Sequence, residues 1–150
     1  MSLPHFDGEA AIARIAARVP DLRQVGGASG FATAMRQFVG GPAAFVLITG
    51  CNTNTTPGTL AQIHRRITRF DVAIAVSHAA AGGRSHQAIA LALASKVVAA
   101  LATWTPDIPG AEAVQAIRPQ GQGRLLDLTS DVYWWAEPFE LEFHGRSYAS

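Results

Sequence analysis

The chain has 150 residues, 12 Lys+Arg against 11 Asp+Glu, a formal net charge of +1, and 15% charged against 49% hydrophobic residues. One domain of this length buries about 68–70% of the surface its unfolded chain exposes, so a packed core needs neither disulfide nor metal. Near-neutral charge and the absence of any long run of like charge exclude a phosphate-coating protein and a disordered charged tail, and no sequence-specific nucleic-acid partner is expected.

Residues 7–19 read as a helix: Asp7 stands at a capping position, Glu9 lies in the first turn, and Ile12, Ile15 and Val19 recur at helical spacing before Pro20. Residues 22–25 suggest a short strand ahead of Gly26-Gly27. A second helix over 29–38 would place Phe31, Met35 and Phe38 on one stripe, and Gly40-Gly41-Pro42 stops it. Residues 43–49 are a continuous apolar run, expected as a strand buried on both faces, and residues 50–58 a polar loop without periodicity.

Residues 60–78 predict one long strand, in which Phe70, Val72, Ile74 and Val76 alternate with Asp71, Ala73, Ala75 and Ser77. In its first half Ile63 and Ile67 take the opposite parity, which calls for a bulge or a departure from the sheet. Residues 85–104 predict a long helix, with Ile89, Leu93, Val97 and Leu101 four apart and Thr105-Pro106 as its end. Residues 113–118 and 123–128 read as a hairpin around Pro119-Gln120-Gly121-Gln122. Residues 132–144 read as a half-buried antiparallel strand with Trp135, Phe139, Leu141 and Phe143 on one face and Glu140, Glu142 and His144 on the other. This order predicts a single α+β domain, a mixed and mostly antiparallel sheet with helices packed on one face.

Lys96 is the only lysine, and the remaining basic residues are arginines, whose planar fork suits protein–protein contacts. Codon bias in a GC-rich genome is the alternative account of the same excess. Cys51 is the only cysteine, so no intrachain disulfide forms. Residues 1–7 carry no basic and apolar leader pattern. The most apolar stretch, 88–104, contains Ser95 and Lys96 and falls short of the ~20 strongly apolar residues of a membrane span. Synthesis in a cytoplasm and no membrane partner are expected.

No motif or spacing in the chain makes a case for catalysis. His64, His78 and His86 with Asp71 lack metal-ligand spacing, and Cys51 reads as a small buried hydrophobe rather than a nucleophile. Gly121-Gln122-Gly123-Arg124 lacks the strand–turn–helix setting of a dinucleotide site, and Glu137, Glu140 and Glu142 form no recognisable acid/base pair. No catalytic residue, cofactor or metal is expected.

Two features suit assembly instead. Arg65, Arg66 and Arg69, interleaved with Ile63 and Ile67, make the outer half of the long strand both basic and apolar; a solvated edge guarded by charge is the plainer account. Trp134 lies on the Glu140/Glu142 face, either as an outward interface anchor or beneath a covering helix or loop. Basic and acidic residues on two separate surfaces would suit a head-to-tail contact that closes into a ring.

Trp104-Thr105-Pro106, Gly123-Arg124-Leu125-Leu126-Asp127-Leu128 and the run from Tyr133 to Leu141 (YWWAEPFEL) resemble the C-terminal pattern of phage tail terminator proteins, the small tail-completion proteins of Mu-like prophages, similar in role to the minor tail protein U of lambda-like phages. The opening helix with Val19-Pro20-Asp21-Leu22, and the arginine-rich strand leading into a long alanine/leucine helix, agree with that family. The resemblance implies a homo-oligomeric ring, a hexamer, at the head-proximal end of the virion tail. Its implied partners are the tail tube protein and a head-completion or neck protein. It also implies subunit contacts on the outer half of the long strand and on residues 51–58. Two other readings remain open from the residues: a head–tail connector or minor tail protein, and a small-molecule-binding domain or enzyme.

Overall fold

A computed structural model describes residues 3–38, 40–58, 60–78, 81, 85–129 and 131–148. The elements are α1 (Glu9–Arg18), β1 (Gln24–Gly26), α2 (Ala28–Arg36), β2 (Ala43–Thr56), β3 (Ala61–Ser77), α3 (His86–Leu101), β4 (Ala113–Val114), β5 (Arg118–Pro119), β6 (Arg124–Leu128) and β7 (Val132–Tyr148). They build the expected single α+β body around one mixed, mostly antiparallel sheet.

The sheet runs β1-β2-β3-β7-β4, and β5 and β6 also pair with β7. Only β1 lies parallel to its neighbour, β2. β2, β3 and β7 are its frame. β3 pairs with β7 without a break from Ala61–Tyr148 to Ser77–Val132. β3 therefore neither bulges nor leaves the sheet, and Ile63 and Ile67 simply take the face opposite Phe70 and Val72. A separate bulge falls on β2, where Ile48 faces Phe70 and Gly50 faces Arg69, leaving Thr49 as the extra residue.

Both faces of the inner half are covered. On one face Val72, Ile74, Val76, Phe139, Leu141 and Phe143 meet α1 through Ala11 and Ile15, and α3 through Ala90, Leu93, Val97 and Leu101. Ser85 caps α3 by accepting from the Ala88 amide at 3.3 Å. At the start of α1, Gly8 takes φ 90° and lies so close to β2 that a Cβ there would stand 3.0 Å from Val46 Cγ1. Only glycine meets both demands at low cost. Asp7 still serves this end, its carboxylate accepting the Glu9 amide at 3.0 Å.

The second face qualifies the expectation of helices on one side. Phe45, Ala73, Ala75 and Trp134 point away from α1 and α3 and pack beneath α2, against Phe31, Ala34 and Phe38. Trp134 is 3% exposed, and its ring contacts those of Phe31, Phe38 and Phe45. The outward interface anchor is thus corrected: a helix covers this tryptophan.

Two further expectations change. Residues 50–58 are not a loop up to their end, because β2 continues through Thr56 on the ladder supplied by β3. Residues 113–128 do not fold into a hairpin on themselves. β4, β5 and β6 each run antiparallel to β7, at His144, Glu140 and Ala136 in turn, as one interrupted edge strand. Among the described residues no helix is long and apolar enough to cross a membrane.

Candidate functional site

Beyond the bulge, β2, β3 and the second half of β7 continue as one ladder, with β4 and β5 on the outer edge of β7. Strand alternation divides its side chains between two faces. One face continues the helix-covered core, with Cys51, Thr53 and Thr55 on β2 and His64, Arg66 and Thr68 on β3. The other carries Asn52, Asn54 and Thr56 beside Ile63, Arg65, Ile67 and Arg69, and beside Glu140, Glu142 and His144 on β7.

The first face is polar, with its β3 side chains engaged within the chain and its β2 side chains exposed. His64 is 7% exposed, with Nδ1 2.9 Å from Thr55 Oγ1 and Nε2 2.7 Å from Ser147 Oγ. Arg66 reaches inward, away from Arg65 and Arg69, and donates through Nη1 to the Pro4 carbonyl at 2.8 Å. Its Nη2 donates to Cys51 Sγ at 3.4 Å, and Thr68 Oγ1 lies 3.5 Å from the same sulfur. Cys51 itself is exposed, not the buried hydrophobe its strand-end position suggested.

The second face is a layer of arginines laid over buried carboxylates. Glu142 and Glu140 are 7% and 6% exposed. Arg65 Nη2 donates to Glu142 Oε1 at 2.7 Å, while Gln115 Nε2 reaches Oε2 at 3.1 Å and His144 Nε2 lies 3.4 Å from it. Glu140 receives Arg118 at Oε1, with Nε at 2.9 Å, and Arg69 Nε stands 3.4 Å from its Oε2. Further along, Arg124 Nη2 donates to Asp71 Oδ2 at 2.8 Å. The hydrogen bond from Arg65 is the main reason the Glu142 carboxyl titrates below the ordinary glutamate range, with His144 adding to it and burial opposing it. Arg65 is correspondingly raised, first by its hydrogen bond to Glu142.

These pairs correct the expectation of basic and acidic residues on separate surfaces. Arg69 and Glu140 are ladder partners, and Arg65 lies diagonal to Glu142 on the same face. The carboxylates are engaged inside the chain and offer no free acidic surface. What remains outward is Ile63, 39% exposed, and the arginine side chains of Arg65 and Arg69, 44% and 42% exposed. Arg118, Arg124 and Gln115 complete this layer from segments without clear periodicity, so no pattern announces them. Nor does any period mark Leu125, Leu126 and Leu128 as surface residues, which β6 leaves 48%, 36% and 55% exposed.

The candidates for chemistry do not converge. His64 sits in the outer ladder, whereas His78 and His86 meet each other at 5.7 Å near Tyr133. Asp71 is held by Arg124, and among the described residues no three His, Cys, Asp or Glu side chains gather as metal ligands. A cavity of about 350 Å³ beside α2 is lined by Gln24, Ser29, Gly30, Thr33, Ala34, Gln37 and Phe38, none of them an ordinary acid, base or activated nucleophile.

The sequence matches the family described as phage tail terminator protein over residues 1–149. Among solved structures the fold is similar to a chain in the virion of a native gene transfer agent particle, with a TM-score of 0.54 and 15% identity over 91% of this chain and 92% of that one. No match was found among curated protein sequences.

Proposed function

The chain belongs to the phage tail terminator family, a family of structural tail proteins, and from that membership we propose that it ends tail growth by capping the tail tube. In this reading copies of the chain form a ring, a hexamer, at the head-proximal end of the tube. One surface of the ring meets the last tube subunits and blocks further addition. The other presents a docking surface to a head-completion or neck protein.

The observation that carries this reading is the family match across essentially the whole chain, residues 1–149. The site geometry supports it. The outer ladder is long, joined from β3 and β5 to β7 by ion pairs and, among the described residues, without a convergent reactive group, as suits a contact surface. Ile63, Arg65, Ile67 and Arg69 present an apolar and basic strip there, the composition favoured where arginine anchors protein contacts. Glu140 and Glu142 act beneath that surface, holding its arginines in place, while Trp134 anchors α2 at the other end of the sheet. Arg66 holds the N-terminal segment through Pro4.

Light scattering on the purified chain, combined with electron microscopy of the same sample, tests the ring. Closed rings of uniform subunit number are expected, alone or on addition of tube protein. A chain that stays monomeric in both conditions contradicts the reading.

A further inference from the structure

The two flanks of β2 are unequally occupied. β3 pairs along it from Ala43 to Thr56, but β1 covers the other flank only at Ala43, Ala44 and Phe45. Among the described residues no strand pairs with that flank over residues 47–56. An edge strand presents alternate backbone N–H and C=O groups outward, which is the chemistry that recognises another extended chain. Natural edges are blunted with charge, proline or short length. Residues 47–56 (LITGCNTNTT) hold neither a charge nor a proline. Only the Thr49 bulge interrupts them.

The opposite edge is guarded over most of its length. β4 and β5 are two residues each, and β5 ends on Pro119. Between them Ile117 turns its backbone to Thr103 and Trp104. β6 is the exception: all five of its residues are exposed, three of them leucines.

Strand direction links the two edges. β2 is antiparallel to β3, β3 to β7, and β7 to β6, so β2 and β6 point in opposite directions. A copy turned about an axis to which the strands are tilted keeps neighbouring strands close to their original directions and shifts it along them, so its β2 meets this β6 antiparallel. We propose that the free flank of β2 pairs with β6 of a second copy of this chain, so that one antiparallel sheet runs from subunit to subunit. A second copy fits because a single repeated contact covers both the uncharged flank and the leucine-bearing strand. Any other strand covers one edge and leaves the other open. Such a head-to-tail contact closes on rotation. β6 lies level with the start of β2, so neighbours are staggered along the strands, as a sheet that tilts to close requires. The proposal rests on the ring reading and names its seam.

Two full-length variants test it: Asn52→Lys with Asn54→Lys on β2, and Leu126→Lys with Leu128→Lys on β6. All four positions are exposed, and circular dichroism reports the fold of each variant. Light scattering should show that each raises the concentration needed for assembly about tenfold or more. Mixed together, the two should form a dimer and nothing larger, because each contributes one intact edge. If either variant assembles like the unmodified chain, the seam lies elsewhere and the ring reading stands. If the unmodified chain itself never assembles, with or without tube protein, both fail. A disulfide between two Cys51 thiols within the assembled form would place two β2 strands side by side and overturn the proposal. Should lysine unfold a variant, a set of Cys51→Ser chains combining Asn52→Cys or Asn54→Cys with Leu126→Cys or Asp127→Cys, which spans the neighbouring registers, replaces it. A disulfide between copies is then expected in at least one of the set, and its absence from all of them under oxidation in the assembled form rejects the pairing.

Discussion

Glu142 Oε1 accepts Nη2 of Arg65 at 2.7 Å, diagonally across the β3–β7 ladder, and this contact joins the exposed arginine strip to the buried layer beneath it. A buried carboxylate without such donors is costly, so the same pair that presents Arg65 outward also makes the position of Glu142 tolerable.

The first prediction follows from that carboxyl. Its folded pKa is depressed, so its contribution to stability is complete above the unfolded value of about 4.3 and is lost as pH falls through the folded value. Glu142→Gln should cost about 1–2 kcal/mol near neutral pH and flatten the loss of stability in acid. Urea unfolding at neutral and acidic pH measures both. An unchanged acid slope would show that the Arg65 contact carries no pH dependence.

Trp134 gives the second. Removing a ring buried against Phe31, Phe38 and Phe45 opens a cavity under α2, and Trp134→Ala should lower stability by about 3–5 kcal/mol. Trp134→Phe should cost less than about half of that. Chemical denaturation followed by circular dichroism distinguishes this from an interface residue, whose loss would weaken assembly and leave the single chain intact.

These two residues also mark where the sequence stopped being informative. The alternation from Phe70 to Val76 announced a strand because each side chain reports its own face. Trp134 reported a face too, but what covers it, α2, comes from residues about a hundred positions earlier. Asn52 to Thr56 could not announce a strand at all: no residue there is buried, and only the ladder from β3 holds them extended. Glu140 and Glu142 were recognisable as a pair on one face. Their partners Arg118 and Gln115 lie in segments whose pairing follows β7 rather than any pattern of their own.

Gly145 supports the third prediction. A Cβ there would stand 2.6 Å from both Cδ and Cγ of Pro4, whose carbonyl accepts Arg66. Gly145→Ala should push the N-terminal segment from the outer ladder and cost about 1–3 kcal/mol. Thermal unfolding measures the cost, and a neutral result would mean that Pro4 yields freely.

Cys51 provides the fourth. As an exposed thiol it should react at once with a thiol reagent in the unassembled folded chain, and Cys51→Ser should change stability by less than about 0.5 kcal/mol. Slow reaction in the unassembled chain would contradict its exposed placement.

Tail termination itself is tested most directly by the length of tail tubes polymerised with increasing amounts of this chain, measured by electron microscopy. The account predicts progressively shorter tubes, each carrying the chain at one end only. Tubes of unchanged length, or tubes decorated along their sides, would contradict it.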